Sequence, residues 1–531
     1  MSGYGDGAPA SFECEPAGYR HWRLRCAGPV ATLTLAVDES AALMEGVPLK
    51  RNSYDLGVEI ELRDALQRLR FEHPGVACVV LESALPDVFC AGANIGMLAR
   101  ASHGLKVNFC RLTNETRLEI EDATRAGQRW IAALGGTASG GGYELALACE
   151  RILLVDDRRA AVSLPELPLL AVLPGTGGLT RLTDKRGVRR DLADVFCTRE
   201  EGVRGARALA WKLVDATAPP SRFAELIARE TEAALQAVGD APRGPAIPLE
   251  ALAPRVSERE IAYRHVHVAL RDEQRWAEIS VSPARDLLGG LRLARELDDA
   301  LLRLRFHHPE LGLWLLRTRG ELADARALDA ALAGEDWLAR EVRALFGRVL
   351  KRLENSARSS FALADAGSCF SGTLLELALA ADRIYVHADA GALELSALNR
   401  GAYRMGNGLS RLESRFLGDA AALQRALAAH GALRAEAALA LGLATEAPDA
   451  IEWDDAIRLA CEERAGFSPD ALTGLEQNLR FGGPETLETK IFARLSAWQN
   501  WIFQRPNASG PDGALRAYGR PERAKLSYLR T

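Results

Sequence analysis

The chain has 531 residues, 48% apolar and 26% charged, which is ordinary globular usage and too long for one hydrophobic core, so two domains or a duplicated one are expected. Lys and Arg number 66 against 71 Asp and Glu, and the net charge of −5 excludes the basic field of a nonspecific nucleic-acid binder. Nine cysteines without a C-x-x-C pair speak for free thiols in a reducing, cytoplasmic setting, and no stretch is apolar enough to span a membrane.

Residues 1–17 carry Asp6, Glu13 and Glu15 without an apolar h-region, so they read as a flexible end and not as a secretory signal. VATLTLAV at 30–37 alternates as a strand, 54–71 has helix-forming character, and VACVVLE at 76–82 reads as a buried strand. A polar helical stretch with Asn108, Cys110, Thr113, Asn114 and Glu115 follows, then a helix expected at 120–133. A glycine-rich turn, a helix at 143–148 and a strand at 152–155 complete an alternating α/β pattern.

The chain repeats itself. ELRDALQRLRFEHP at 61–74 returns as ELDDALLRLRFHHP at 296–309, an offset of 235. ELALACERI from Glu144 returns as ELALAADRI from Glu376, an offset of 232, and LTRL at 179–182 returns as LSRL at 409–412. LAWKLVD at 209–215 and LALGLAT at 439–445 keep that order. The expected layout is a flexible 1–17, a first domain at 18–257, a degenerate copy at 258–450, and a helical packing or oligomerisation region at 451–531. In that last region, helices are expected at 456–465 and 487–501, and beyond Gln504 the tail is either a solvated end or an arm on a neighbouring subunit.

Three motifs carry chemistry. FCAGAN at 89–94 follows a strand and leaves backbone N–H groups uncovered, while Gly140-Gly141-Gly142 opens a helix whose free N–H groups favour negative charge. Glycines serve tight turns equally well, so neither motif decides anything alone. In order, AGAN, GGGYE, and PE followed by PGTGG resemble the signature of the crotonase (enoyl-CoA hydratase/isomerase) superfamily, with Asn94 where that family commonly has Asp.

That resemblance implies tandem ββα-spiral domains. It also implies a thioester oxygen held by the N–H groups of Ala93 and Gly141, and hydratase-type carboxylates at Glu144 and Glu166. Two carboxyls sharing a pocket interact, so one stays protonated as general acid while the other activates water. A helix-terminal acid and a solvated loop acid are the plain alternatives. Asn108, Cys110 and Gly142 are candidates for the acyl pocket, although a free cysteine is more often simple core. Lys50 and Arg51 fall where the family's strand end approaches the CoA nucleotide. In the second copy Ser396 stands opposite Glu166, GGG has become Gly372-Thr373-Leu374, and no FCAGAN counterpart appears near 318–323, which points to a catalytically dead copy.

No G-x-G-x-x-G follows a strand, so a fused dehydrogenase is disfavoured. The double length, the segment LPGTGGLTRLTDKRGVRRD and the RFHHPE repeat resemble the benzoyl-CoA-dihydrodiol lyase family. That family implies hydrolytic opening of 2,3-epoxybenzoyl-CoA to 3,4-didehydroadipyl-CoA semialdehyde and formate, with no metal or redox cofactor and CoA present only as the substrate's thioester. It also implies a homo-oligomer, a dimer being favoured. The alternatives are an enoyl-CoA hydratase acting on an aliphatic thioester and a noncatalytic acyl-CoA-binding scaffold.

Overall fold

The structure, a computed structural model, describes residues 11–238, 244–521 and 523–531. The chain separates into two compact units that meet in sequence at Ala251 and Leu252. The second unit runs on to Thr531, so residues 451–531 belong to it and are not a separate region.

In the first unit, β1 (Trp22–Ala27) and β2 (Val30–Leu35) form an antiparallel hairpin. β2 then leads a parallel run through β3 (Cys78–Ser83), β5 (Arg129–Leu134), β7 (Arg151–Val155) and β9 (Ala216–Ala218). A second, three-stranded parallel sheet joins β4 (Val88–Cys90), β6 (Thr137–Ser139) and β8 (Val162–Ser163). The helices are α1 (Leu56–Phe71), α2 (Ile95–Arg100), α3 (His103–Arg125), α4 (Gly141–Ala148) and α5 (Glu166–Leu170), followed by shorter ones and a long helix, Pro220–Val238. The inner residues of β3 and β5 are buried, as parallel strands covered on both faces must be. Helix Pro220–Val238 covers one face, its Leu226 packing on Cys78, Val80, Ile131 and Leu153.

The helix expected at 120–133 is corrected. α3 ends at Arg125, Gly127 turns with φ of 94°, and the remainder of the span is β5. A short run such as WIAAL fits a buried helix or a buried strand by composition, and pairing with β3 and β7 decides it. Of the expected flexible end, residues 1–10 lie outside the described residues. Residues 11–17 are docked: Phe12 is buried, and the carbonyls of Phe12 and Cys14 accept from Arg63 and Arg68.

α1 is buried nearly all round although it carries six charged residues, and those charges are used. Glu61 accepts the backbone N–H groups of Arg20, His21 and Trp22, and Arg68 pairs with Asp64, which also takes the Tyr19 hydroxyl. The second unit reproduces this on helix Leu287–His307. Glu296 accepts the N–H groups of Arg264 and His265, and Arg303 pairs with Asp299, which takes the Tyr263 hydroxyl. Repetition of a buried polar network, residue for residue, is stronger evidence of duplication than repetition of helix-forming letters.

The second unit's main sheet has the same parallel core, Trp276–Val281, Leu313–Thr318, Ser359–Ala364 and Arg383–Val386. Its covering helix is Trp453–Gly466, whose Trp453, Ile457 and Cys461 pack on Leu313, Leu315, Phe361 and Tyr385. A boundary at 450 therefore cuts off the helix that corresponds to Pro220–Val238. The end of the tail is corrected too, since it docks on its own unit and is not solvated. The buried Arg530 pairs with Glu476 at 3.1 Å and donates to Ser359 Oγ, and Tyr528 lies against Arg275, all within the second unit.

Candidate active site

Asn52 fixes the frame around the first oxyanion donor. It sits in the left-handed region, with its side-chain oxygen accepting from Val37 N–H and its nitrogen donating to Leu35 O, Ser83 Oγ and Phe89 O, so it ties together the ends of β2, β3 and β4. Tyr54, outside α1 because Asp55 is the cap, forms a parallel bridge with Ala93. Its N–H reaches Gly92 O and its carbonyl takes Asn94 N–H. Such a bridge uses the residues flanking Ala93 and leaves the Ala93 N–H directed away from it. Asn94 caps α2 by accepting Met97 N–H at 2.9 Å and donates to Pro48 O, both with a neutral amide.

The second donor comes from α4. Gly140 takes φ 52° and ψ −129°, open to glycine alone, and Gly141 is the first helical residue, so its N–H has no partner within the helix. Close approach brings the two donors together: a Cβ on Gly92 would come within 3.1 Å of Gly141 N, and a Cβ on Gly142 would strike the Cys90 carbonyl. Gly142 therefore gives its space to β4 and not to a ligand. At the far end of α4, Lys185 Nζ donates to the Leu147 and Ala148 carbonyls at 2.9 and 2.7 Å, placing a cation at the negative pole.

The two carboxyls are unequal. Glu144, 2% exposed, accepts from Gly178 N–H at 2.7 Å, Thr176 N–H at 3.0 Å and the Thr176 hydroxyl. Arg181 braces that loop by donating to Thr176 O while paired with Glu121. Glu166 begins α5 with its Oε1 2.8 Å from where a Cβ on Gly140 would lie, and its Oε2 is buried without a hydrogen-bond partner. Burial first, and the Glu144 charge second, push the Glu166 carboxyl up to about 7. One carboxylate is thus fixed by donors, and the other is free to carry a proton at neutral pH.

The other candidates divide. Burial and, after it, the Glu144 charge push the Cys110 thiol up to about 11. Asn108 is fully buried, its side-chain oxygen accepting from Arg111. Lys50 lines a cleft of about 460 Å³ with Ser53, Ala93, Asn94, Ile95 and Arg100. Arg51 does not line it and pairs at 3.5 Å with Asp87 on the surface. A larger opening of about 710 Å³ contains neither Glu144 nor Glu166, and Arg181 and Lys185 in its wall are both held by Glu121. Sequence reading passed over Thr176, Gly178, Tyr54, Asn52 and Arg100. The PGTGG motif signalled the first two, but only as a signature.

The second unit shows what this architecture looks like when filled. Gly372 repeats the positive φ of Gly140, and the next residue, Thr373, directs both its N–H and its hydroxyl at Asp329 Oδ1, at 2.7 and 2.9 Å. Glu376 is paired with Arg411 and takes Asn399 Nδ2, whereas the matching Arg181 turns to Glu121. Ser396 caps the turn Ala397–Arg400, and among the described residues the small sheet lacks a strand equivalent to β4. Asp329→Ala leaves the buried Thr373 N–H without its acceptor, while the Thr373 hydroxyl keeps Tyr403. It is expected to cost about 1–3 kcal/mol in urea unfolding while leaving turnover unchanged.

A free helix N-terminus beside the Ala93 N–H, with two carboxyls near it, on a run of parallel strands, is the layout of a crotonase-type acyl-CoA enzyme. The chain matches the enoyl-CoA hydratase/isomerase family over residues 46–273. It is 49% identical over 541 aligned residues to a benzoyl-CoA-dihydrodiol lyase of Aromatoleum evansii, covering 98% of this chain and 97% of that one. The chain belongs to the enoyl-CoA hydratase/isomerase family, on the benzoyl-CoA-dihydrodiol lyase branch. Among solved structures, an enoyl-CoA hydratase of Geobacillus kaustophilus HTA426 is 30% identical, covering 41% of this chain and 75% of that chain, with a TM-score of 0.36. One from Bacillus anthracis is 26% identical, covering 40% and 76%, with a TM-score of 0.35. No described helix is long and apolar enough to cross a membrane.

Proposed function

We propose that the chain converts 2,3-epoxybenzoyl-CoA and two waters into 3,4-didehydroadipyl-CoA semialdehyde and formate. The observation that carries this reading is the unequal carboxyl pair facing two free N–H donors, in a chain similar over nearly its whole length to a dihydrodiol lyase. Substrate and two waters balance the products atom for atom with no electrons left over, so the reaction needs no redox cofactor.

Loss of one ring carbon as formate breaks its bond to the carbon α to the thioester and leaves the electron pair there. That pair delocalises onto the thioester oxygen, where Ala93 and Gly141 N–H receive it, each donor being worth about 3 kcal/mol. Glu144, held by three donors, aligns and activates water, and Glu166 supplies and recovers the proton. The second unit, its donor site occupied by Asp329, is a structural copy without turnover. Lys50 and Arg100 in the cleft beside Ala93 bind the CoA phosphates, so Lys50→Ala with Arg100→Ala is expected to raise KM about tenfold or more with kcat little changed, in a steady-state assay.

The enzyme works in the cytoplasm, where its nine free cysteines persist, and pairs with a second copy. The support for a pair is the exposed apolar row Leu487, Phe492, Leu495 and Phe503 on the C-terminal helices, and light scattering tests it.

The deciding experiment is an anaerobic incubation of purified protein with 2,3-epoxybenzoyl-CoA, following formate, with crotonyl-CoA hydration in parallel. Formate release without crotonyl-CoA hydration supports the lyase. Hydration alone makes it an ordinary hydratase, and binding without turnover makes it a scaffold.

A further inference from the structure

Tyr54 is the one polar side chain at the oxyanion hole with no assigned task. Its ring is held between Phe109, with centroids 5.8 Å apart, and Arg117, whose guanidinium lies 5.6 Å from the ring centre. Arg117 is itself fixed by a fully buried, two-pronged pair with Glu59. The residue is 2% exposed, yet among the described residues no hydrogen bond reaches its hydroxyl. The hydroxyl oxygen itself is not among the buried atoms left without a partner, so it is within reach of a molecule that enters the site.

The place of that hydroxyl is informative. A Cβ on Gly141 would fall on it, so the Tyr54 oxygen occupies the space of a side chain at position 141. Its backbone flanks Ala93, the other donor. In the second unit the residue matching Gly141 is Thr373, which does have a side chain, and its hydroxyl joins its own N–H on one oxygen of Asp329. A carboxylate oxygen at this helix terminus therefore draws one amide and one hydroxyl there. In the first unit glycine supplies the amide and no hydroxyl, and Tyr54 places one in the vacated position.

We propose that the Tyr54 hydroxyl is a third hydrogen-bond donor to the thioester oxygen of the acyl-CoA substrate, acting beside the N–H groups of Ala93 and Gly141. It donates a hydrogen bond and transfers no proton. Burial holds the phenol well above its ordinary range, which keeps the hydrogen in place throughout turnover. The substrate assignment rests on the proposed function, whereas the donor role requires only a thioester in the site.

The test is Tyr54→Phe, compared with wild type in three measurements. Infrared difference spectra of bound benzoyl-CoA, carbon-13 labelled at the carbonyl, read the polarisation of the thioester directly. The wild type is expected to shift the band further to low frequency than the variant does. Formate release is expected to fall about 10²-fold, with benzoyl-CoA binding changed by less than about threefold. The melting temperature is expected to match wild type, because the ring packing is kept and the hydroxyl has no partner within the chain to lose. An unchanged carbonyl band, or an unchanged rate, overturns the proposal, as does a loss of rate accompanied by a fall in melting temperature and an unaltered band. If wild type releases no formate but hydrates crotonyl-CoA, the lyase reading fails while the carbonyl band still decides the role of Tyr54.

Discussion

Replacing Glu166 by Gln is expected to slow formate release by about 10²–10⁴-fold, the usual contribution of a positioned acid–base group, while making the fold more stable above pH 7. The two effects share one cause. The Glu166 carboxyl is raised from 4.5 to about 7 by burial and by the Glu144 charge, with its Oε2 unpartnered. The folded state therefore holds a proton that the unfolded state has released between those values. Below pH 4.5 the group is protonated in both states and costs nothing. Between pH 4.5 and about 7 the unfolded chain ionises while the buried carboxyl keeps its proton, so stability falls across that window by about 3 kcal/mol and is then constant above it. Urea unfolding at pH 5 and pH 8 should show this loss in wild type and not in the variant. The same proton sets the activity: kcat/KM of the wild type should decline above about pH 7, because the protonated form is the one that delivers. A variant with wild-type turnover would remove Glu166 from the mechanism.

Glu144→Gln is expected to abolish turnover to a similar extent with the opposite effect on the fold. All three groups around this carboxylate are donors: the N–H groups of Thr176 and Gly178 and the Thr176 hydroxyl. An amide keeping its oxygen on the two backbone N–H groups turns its N–H₂ to the Thr176 hydroxyl, which must then accept, and leaves the second amide N–H buried without a partner, at a cost of about 1–3 kcal/mol. The loop from Ala171 to Gly178 loses its anchor, so urea unfolding should shift downward at pH 5 and pH 8 alike. Hydrogen exchange at the Thr176 and Gly178 amides should accelerate. The contrast between one inactive variant that gains stability and one that loses it separates a proton carrier from a group fixed in place, which activity alone does not do.

The contrast was only half legible in the sequence. That positions 144 and 166 are both acidic, and that two acids in one pocket must differ, follows from the letters. Which one differs, and in which direction, depends on where PGTGG folds back. Thr176 and Gly178 lie more than thirty residues from Glu144, and no local pattern announces that their amides meet its carboxylate. Tyr54 escaped for a related reason. It was counted into the helix that follows, and only the Asp55 cap and the bridge to Ala93 put it at the oxyanion hole. Lys50 and Arg51 are adjacent letters with the same charge, yet a turn with Arg51 and Asn52 in the left-handed region sends one to the cleft and the other to Asp87.

The sequence alone determined the class of fold and the duplication, because these depend on periodicity and on repeated patterning that are legible locally, and its resemblance to the family supplied the candidate glycines and acids. The tertiary structure decided that 129–134 is a strand, that the second copy keeps its covering helix beyond 450, and that Arg530 is buried. It also decided that Asp329 takes the Thr373 N–H at the second copy's helix terminus. These outcomes depend on which distant groups meet in a low-dielectric interior, where an unpaired donor or carboxylate is costly enough to choose between arrangements that sequence patterning leaves equal.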